Sequence, residues 1–515
     1  MSEPPAPPTE VTSAHLTPRL PSRAVEWLGV FGPGAIIASL TIGAGELVFS
    51  SRAGALFGYR LLWFFLVILV CKWVLVFSVG RHMVLTGAHP FQRWMELPGP
   101  RGWLPAVFFL LALAAFPVWV CFHAATIGTL LAWLTGTTAA CHGTAHWLWG
   151  MSVLGAVMLL VLSGGYQTLE RLQLAIVLLM LLCVLISLVL VHPDWQALLL
   201  GLVAPQPVAY PAWALSLGEF AGRPVWVEAI TYVGVLGGSG YDYLAYVTYL
   251  RDKGWGRAGQ RVATAAEVAA TAVDARHPDR RWLRVLAADS VLSFAAVLIF
   301  SAVFVACGAV LLGPRHQVPS GNDLLTLQAQ FVAPGYDWMK PVYFVGAFLT
   351  MFGTLYGTIE VAPAILRELA QAFRAQSTAL VPARVRPWAV GWAGGGGWLV
   401  LVACFAWHRF GSGNNPPGLV ALLTPANLFT GVLGCGLVCL LGLWADRRFL
   451  PRGLRPGRAQ TGLTILAGAA FILLGLKGYW DHSGWVAFGI LAGTLAVGWI
   501  AAHIAQLRGR PAAGA

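Results

Sequence analysis

Gly32-Pro33-Gly34-Ala35-Ile36-Ile37-Ala38-Ser39-Leu40-Thr41-Ile42-Gly43-Ala44-Gly45-Glu46-Leu47-Val48-Phe49-Ser50-Ser51-Arg52 is an apolar run with a glycine pair and a carboxylate in its middle. The run is long enough to cross a bilayer. Its glycines allow a helix to unwind there. A carboxylate at that depth costs several kcal/mol unless it is protonated, paired or functional. A second run repeats the pattern: Gly237-Gly238-Ser239-Gly240 interrupts an apolar stretch and is followed by Tyr241-Asp242-Tyr243. Two interrupted helices at corresponding places in two halves of a chain point to a secondary transporter built from inverted repeats. Unwinding frees carbonyls for a cation and exposes half-helix N-termini to an anionic group. The competing reading, that the glycines only let helices approach closely, explains one break more easily than two breaks that each carry an acid.

Working outward, the composition agrees. The 515 residues are 58% hydrophobic and 10% charged, with 23 Trp and 26 Phe. So few charges cannot cover a soluble protein of this size. A disordered chain, a coiled coil and a disulfide scaffold are excluded as well. Twelve apolar runs appear, near 27–57, 61–86, 104–134, 147–163, 173–192, 226–249, 285–312, 341–366, 388–408, 418–444, 461–477 and 485–505. They are too long, and too little alternating, for barrel strands. The net charge of +12 reads as loop charge facing the cytoplasm, not as a nucleic-acid footprint. With the N-terminus inside, 25 of the 33 Lys and Arg fall on inner segments and 6 on outer ones. Arg52 and Lys72 fall within spans. The expectation is a multi-pass protein of the plasma (inner) membrane with both termini cytoplasmic.

Residues 1–25, with six prolines, read as a disordered cytoplasmic tail and not as a signal peptide. A ten-helix core is expected over 26–445, two additional spans over 446–505, and a short tail over 506–515. The outer connection 193–225 reads as an irregular loop more readily than as a short helix or lid. No ATP-binding Gly-x4-Gly-Lys-[Ser/Thr] is present, and no triad or hydrolase motif stands out. Transport on an ion gradient, not catalysis, is expected.

Gly32-Pro33-Gly34, the first break, and Gly54-Ala55-Leu56-Phe57-Gly58-Tyr59-Arg60-Leu61-Leu62-Trp63 resemble the first two spans of Nramp-type divalent-metal transporters. Gly165-Tyr166-Gln167-Thr168-Leu169-Glu170 is similar to that family's fourth-to-fifth connection. The resemblance covers roughly spans one to ten. It implies an all-α, leucine-transporter-type fold of five plus five inverted spans followed by two extra ones. It also implies Asp-Pro-Gly-Asn at the first break, where this chain reads Gly43-Ala44-Gly45-Glu46, and Met-Pro-His in the sixth span, aligned with Gly238-Ser239-Gly240. The chain thus looks like a Gly-x-Gly-Glu side branch.

The candidate binding set is Gly43, Ala44, Gly45, Glu46, Gly238, Ser239, Gly240, Tyr241 and Asp242, with Glu46 and Asp242 as the metal-ligating pair. Without the soft thioether, any metal bound is expected to be hard, such as Mn²⁺ or Mg²⁺. No permanently bound cofactor is expected, only a transported cation or proton. Two other classes stay open. A Gly-x-Gly break also resembles amino-acid permeases of the same fold, with an amino acid or amine as substrate, and a transport-dead sensor is the third.

Further intramembrane groups are candidates for proton coupling: His123, Lys72, Asp289 and Glu360. His123 reads alternatively as a core histidine. Lys72 is expected to pair with Glu46 or Asp242. Asp289 is expected to cap the seventh helix, and Glu360 either joins a coupling network or pairs with Arg367. Arg52 is expected to snorkel outward. Cys141, His142 and His146 have metal-like spacing, although surface histidines are commoner. Gly394 to Gly397 permit tight packing or a kink.

Overall fold

A computed structural model describes residues 20–21, 26 and 30–508, except 219, 223, 320–339, 375–384 and 411–424. Most of the N-terminal tail, the C-terminal tail and most of the outer connection 313–340 therefore lie outside the described residues. Among the described residues, nine helical segments are long and apolar enough to cross a membrane. Two of them are too long for one crossing. Gly45–Thr86 has 42 residues, about 63 Å at 1.5 Å per residue, twice a hydrocarbon core of about 30 Å. It turns at Gly58, whose φ of 59° suits glycine, through a tight turn Gly58–Leu61. Arg458–Arg508 turns likewise at Gly484, with φ 53°.

Counting those turns, and counting each broken helix once, the helices follow twelve crossings. The first is Pro33–Thr41 plus Ala44–Phe57, and the second Leu62–Thr86. Trp103–Leu134, Ala145–Ser163 and Tyr166–Val191 are the third to fifth. Val225–Val235 plus Gly240–Lys253 is the sixth. Pro278–Cys307, Lys340–Arg374, Val385–Phe410 and Pro425–Phe449 follow. The tenth helix thus runs four residues past the core boundary read from the sequence.

Burial sorts the spans. In its most apolar window the eighth span is 72% buried and the tenth 78%, against 17% for the last pair. The last pair therefore lies at the periphery of the helix bundle, and the broken spans sit among the buried ones. Small residues bring the central spans together. A Cβ on Gly54 would lie 2.0 Å from the Val305 carbonyl oxygen, and one on Gly308 would lie 2.0 Å from that of Ser51. The second half of the first span, Ala44–Phe57, and the seventh span are thus in backbone contact on both sides. In the ninth span, Gly396 and Gly397 meet Pro117 and Val120 of the third, so that glycine run serves close packing.

The connection 193–225 is not irregular throughout. Trp195–Val203 is helical, and Asp194 Oδ1 caps it by accepting from Ala197 N–H at 3.0 Å. Gly201 lets this helix lie on the Tyr59 carbonyl, over the turn between the first two spans. The Asp194 cap was the sequence signal for it. On the opposite side, a short helix Ala265–Val273 packs Val268 against Leu85, Leu450 and Leu454. Hydrogen bonds from Thr264 and Arg261 hold the Glu267 carboxyl down to about 2.

Replacing Gly54 by Val is expected to destabilise the fold by about 1–3 kcal/mol through overpacking, seen as a lower melting temperature in detergent. Gly155→Val, at a position with open space around it, is expected to leave the melting temperature nearly unchanged.

Candidate functional site

The break in the sixth span is four residues long. After Val235 the backbone is extended at Leu236, enters the left-handed region at Gly237 (φ 76°) and at Gly238 (φ 91°), and is extended again at Ser239. Glycine is required here twice over. A Cβ on Gly237 would lie 2.7 Å from Leu69 Cδ2, and one on Gly238 would lie 2.3 Å from Thr41 Cγ2.

An unwound turn inside a membrane must bond its backbone to protein. Side chains from three spans do so. Gly237 N–H donates to Glu46 Oε1 at 3.0 Å. Ser239 N–H donates to Asp242 Oδ2 at 2.6 Å. The Tyr243 hydroxyl donates to the Gly237 carbonyl. Lys72 Nζ donates to the Leu236 carbonyl at 2.5 Å and to the Gly238 carbonyl at 2.7 Å.

The first break is shorter. Gly43 is extended, with φ −136° and ψ −160°, so its glycine answers a steric need and not a dihedral one. A Cβ there would lie 2.4 Å from Thr354 Oγ1. That hydroxyl, on the eighth span, donates to the Ile42 carbonyl at 3.1 Å and lies 3.4 Å from that of Ser39. Gly45 faces Val235, where a Cβ would lie 2.5 Å from Cγ1. Gly43 N–H donates to Glu46 Oε2 at 3.1 Å.

Glu46 therefore bridges both breaks, one oxygen to each. Glu46 and Asp242 each occupy the third position of the helix that resumes after a break, and each bonds back across the break. This is the carboxylate half of a capping box, used twice. Glu46, Lys72, Ser239 and Asp242 are all buried, so the site is closed. Gly240 begins the second half-helix. Tyr241 points away, with its hydroxyl on the Phe108 carbonyl at 2.6 Å.

Several expectations change. Lys72 meets backbone carbonyls, not the carboxylate of Glu46 or Asp242. Unwound carbonyls offer a cation concentrated partial charge that needs no second ionised group. Arg52 does not snorkel. It is buried, with Nε on Glu228 Oε1 at 2.5 Å and Nη1 on the Pro319 carbonyl at 2.9 Å. The polar partners present at that depth outweigh a route to the interface.

Asp289 lies mid-helix and caps a different helix. Its Oδ1 accepts from Gly32 N–H at 3.0 Å and its Oδ2 from the Tyr246 hydroxyl at 2.9 Å. The Gly32-Pro33-Gly34 motif follows from this. Gly32 gives its N–H to Asp289, Pro33 starts the helix without needing one, and Gly34 admits the seventh-span backbone, 2.5 Å from where its Cβ would sit. Glu360 pairs with Arg386 at 2.5 Å, while Arg367 pairs with Asp252 at 2.8 Å.

His123 is half-buried and edge-on to Phe122. Cys141 and His142 are exposed and have positive φ, so His142 and His146 do not share a helix face, and His146 Nδ1 contacts the Gly143 carbonyl. Among the described residues, no group of three or more His, Cys, Asp or Glu side chains is placed to hold a metal ion. A metal at the breaks would need carbonyl oxygens. Sequence reasoning passed over Thr354, although Thr350, Thr354 and Thr358 form a buried ladder at four-residue spacing.

A family model described as natural resistance-associated macrophage protein-like (Nramp) matches residues 34–481, a stretch that includes both breaks. The chain belongs to the Nramp family. Structures of the Eremococcus coleocola manganese transporter share the fold of this Nramp chain. The one in complex with an aromatic bis-isothiourea substituted compound has 15% sequence identity and a TM-score of 0.68, over 96% of this chain and 98% of that one. The structure of MhsT in complex with L-phenylalanine has 16% identity and a TM-score of 0.52, over 87% and 98%. A search of curated proteins finds no significant match. The Nramp chain is thus an all-helical, multi-pass membrane protein of the leucine-transporter-type fold.

Breaking the buried Arg52–Glu228 pair by removing one partner costs about 3–5 kcal/mol. Glu228→Met is expected to lower the melting temperature of the Nramp chain strongly, and the Arg52→Met/Glu228→Met double variant to recover part of the loss.

Proposed function

We propose that this Nramp chain is a secondary active transporter of a hard divalent cation, Mn²⁺ or Mg²⁺, driven by a proton gradient across the plasma membrane, with both termini cytoplasmic. One observation carries the reading: Glu46 joins the two breaks and Asp242 adds a second carboxylate beside the same turn. A carboxylate oxygen has two lone pairs. Each oxygen here that accepts one backbone N–H keeps a lone pair for a cation. Oxygen ligands without a thioether suit Mg²⁺ and Mn²⁺.

The organic-substrate reading is favoured less. A substrate carboxylate would be held by amides freed at the breaks, but the Gly43, Gly237 and Ser239 amides already donate to Glu46 and Asp242. The solved relatives divide the same way. A manganese transporter is the nearer in TM-score, and the protein holding L-phenylalanine the more distant. In this reading, residues 26–445 form the transporting core and 446–505 a peripheral pair. Asp289, with the Tyr246 hydroxyl, and Glu360, with the Arg386 guanidinium, are the stronger proton-coupling candidates.

Reconstituted into vesicles with an imposed pH gradient, the protein is expected to take up Mn²⁺ or Mg²⁺. Glu46→Ala should abolish uptake, and Asp242→Asn should reduce it by about tenfold or more, the order expected for losing a charged ligand contact. Amino-acid flux without a divalent ion, unaffected by Glu46→Ala, would overturn the proposal.

A further inference from the structure

Lys72 stands near the middle of the second span, Leu62–Thr86, and has no exposed surface. A lysine in that position is costly and needs a partner that justifies it. Its ammonium is held by the Leu236 and Gly238 carbonyls, the two that flank Gly237. Its aliphatic stem runs past Gly237, where a Cβ would lie 3.5 Å from Lys72 Cδ. The amide between those carbonyls goes to Glu46 and the next but one to Asp242. Two carbonyl oxygens and two carboxylates thus converge on one unwound turn.

That donor set has the all-oxygen chemistry that hard cations take and that a broken helix provides. The described residues offer no alternative cluster of side-chain ligands, so the carbonyls would be indispensable to a bound ion. Here a cation already uses them, and it is covalently attached to the second span.

We propose that Lys72 is a tethered cation that occupies the carbonyl half of the substrate site and competes with the transported divalent ion for it. The inference rests on the metal-transport reading and adds what controls the affinity of that site. An ion seated on Glu46 and Asp242 alone would face the ammonium across one turn of backbone. Like charges at such separation in a low-dielectric interior repel strongly. To gain the Leu236 and Gly238 oxygens, the ion must displace the ammonium along its flexible stem. Lys72 is therefore an affinity-setting residue, and its charge is what matters, not its bulk.

The test is binding of Mn²⁺ and Mg²⁺ to the purified full-length protein. It is measured by titration calorimetry and by the rise in melting temperature on adding metal. Lys72→Met removes the charge at similar length, Lys72→Gln keeps a neutral donor for the carbonyls, and Lys72→Arg keeps the charge. Lys72→Met and Lys72→Gln are expected to bind about tenfold or more tighter than wild type, as removal of a fixed like charge demands. They should also gain more melting temperature from added metal. Lys72→Arg should bind no tighter than wild type.

If Lys72→Met does not fold, Lys72→Gln against Lys72→Arg decides, because that pair differs in charge while both supply donors. Wild-type binding with neutral variants that bind equally or more weakly would overturn the tethered-cation role and leave the transport reading standing. No binding of either ion by wild type or by any variant would overturn both.

Discussion

In a bilayer, backbone that leaves a helix has no water to bond with, and the centre of this protein is organised by that constraint. The turn from Leu236 to Ser239 gives up its helical bonds. Glu46 from the first span, Lys72 from the second, and Tyr243 and Asp242 from the sixth replace them. Thr354 on the eighth span does the same for the end of Pro33–Thr41. Four spans are thus fastened to one another by the need to satisfy two gaps. The glycines at 43, 45, 237 and 238 are the steric condition for it, since a Cβ at any of them would collide with a neighbouring span or half-helix: Thr354, Val235, Leu69 and Thr41 respectively.

The ends of the broken helices are held differently on the two sides. At one end of the bundle, Arg52 and Glu228 join the resumed half of the first span to the opening half of the sixth, with both side chains buried. On the other side, Arg251–Glu368, Lys253–Glu170, Arg367–Asp252 and Arg386–Glu360 join the sixth, eighth, fifth and ninth spans. These pairs are partly exposed on at least one partner. Solvent-exposed pairs contribute little each, while breaking a buried pair is expensive.

The architecture was legible in the sequence because hydropathy and breaks are local signals. A glycine pair inside an apolar run, followed by an acid, can be read without knowing what lies opposite. The crossings followed, as did the two breaks and the placement of Glu46 and Asp242 beside them. The partners of the buried charges were not legible, because partner choice is a long-range outcome. Asp289 is 257 residues from Gly32, and Arg52 is 176 from Glu228. Sequence reasoning favoured the nearest opposite charge for Lys72 and a nearby guanidinium for Glu360. It undervalued backbone carbonyls as partners, although the same reasoning had already released those carbonyls by breaking the helix. Thr354 was missed for a related reason: a threonine in a helix reads as bonded to its own preceding turn, which it also is.

The departures at the two breaks are connected. In the alignment that the Nramp resemblance implies, the acid at the first position of the first break has become Gly43, and the fourth position has become Glu46. Gly43 is extended and precedes the resumed helix, of which Glu46 is the third residue. From there Glu46 caps the resumed helix through Gly43 N–H and reaches the other break through Gly237 N–H. An acid at residue 43 itself would collide with Thr354, which closes the preceding half-helix. In the sixth span, glycine at 238 lets the chain adopt a positive φ that brings the Leu236 and Gly238 carbonyls to a single cation. A side chain at 238 would meet Thr41 and close that arrangement. The two breaks are thus tied together by one carboxylate that bonds an amide of each, and by two backbone carbonyls of the second break that share the Lys72 ammonium. These features need each other, because the carbonyls and amides are free for side-chain partners only where the helix is unwound.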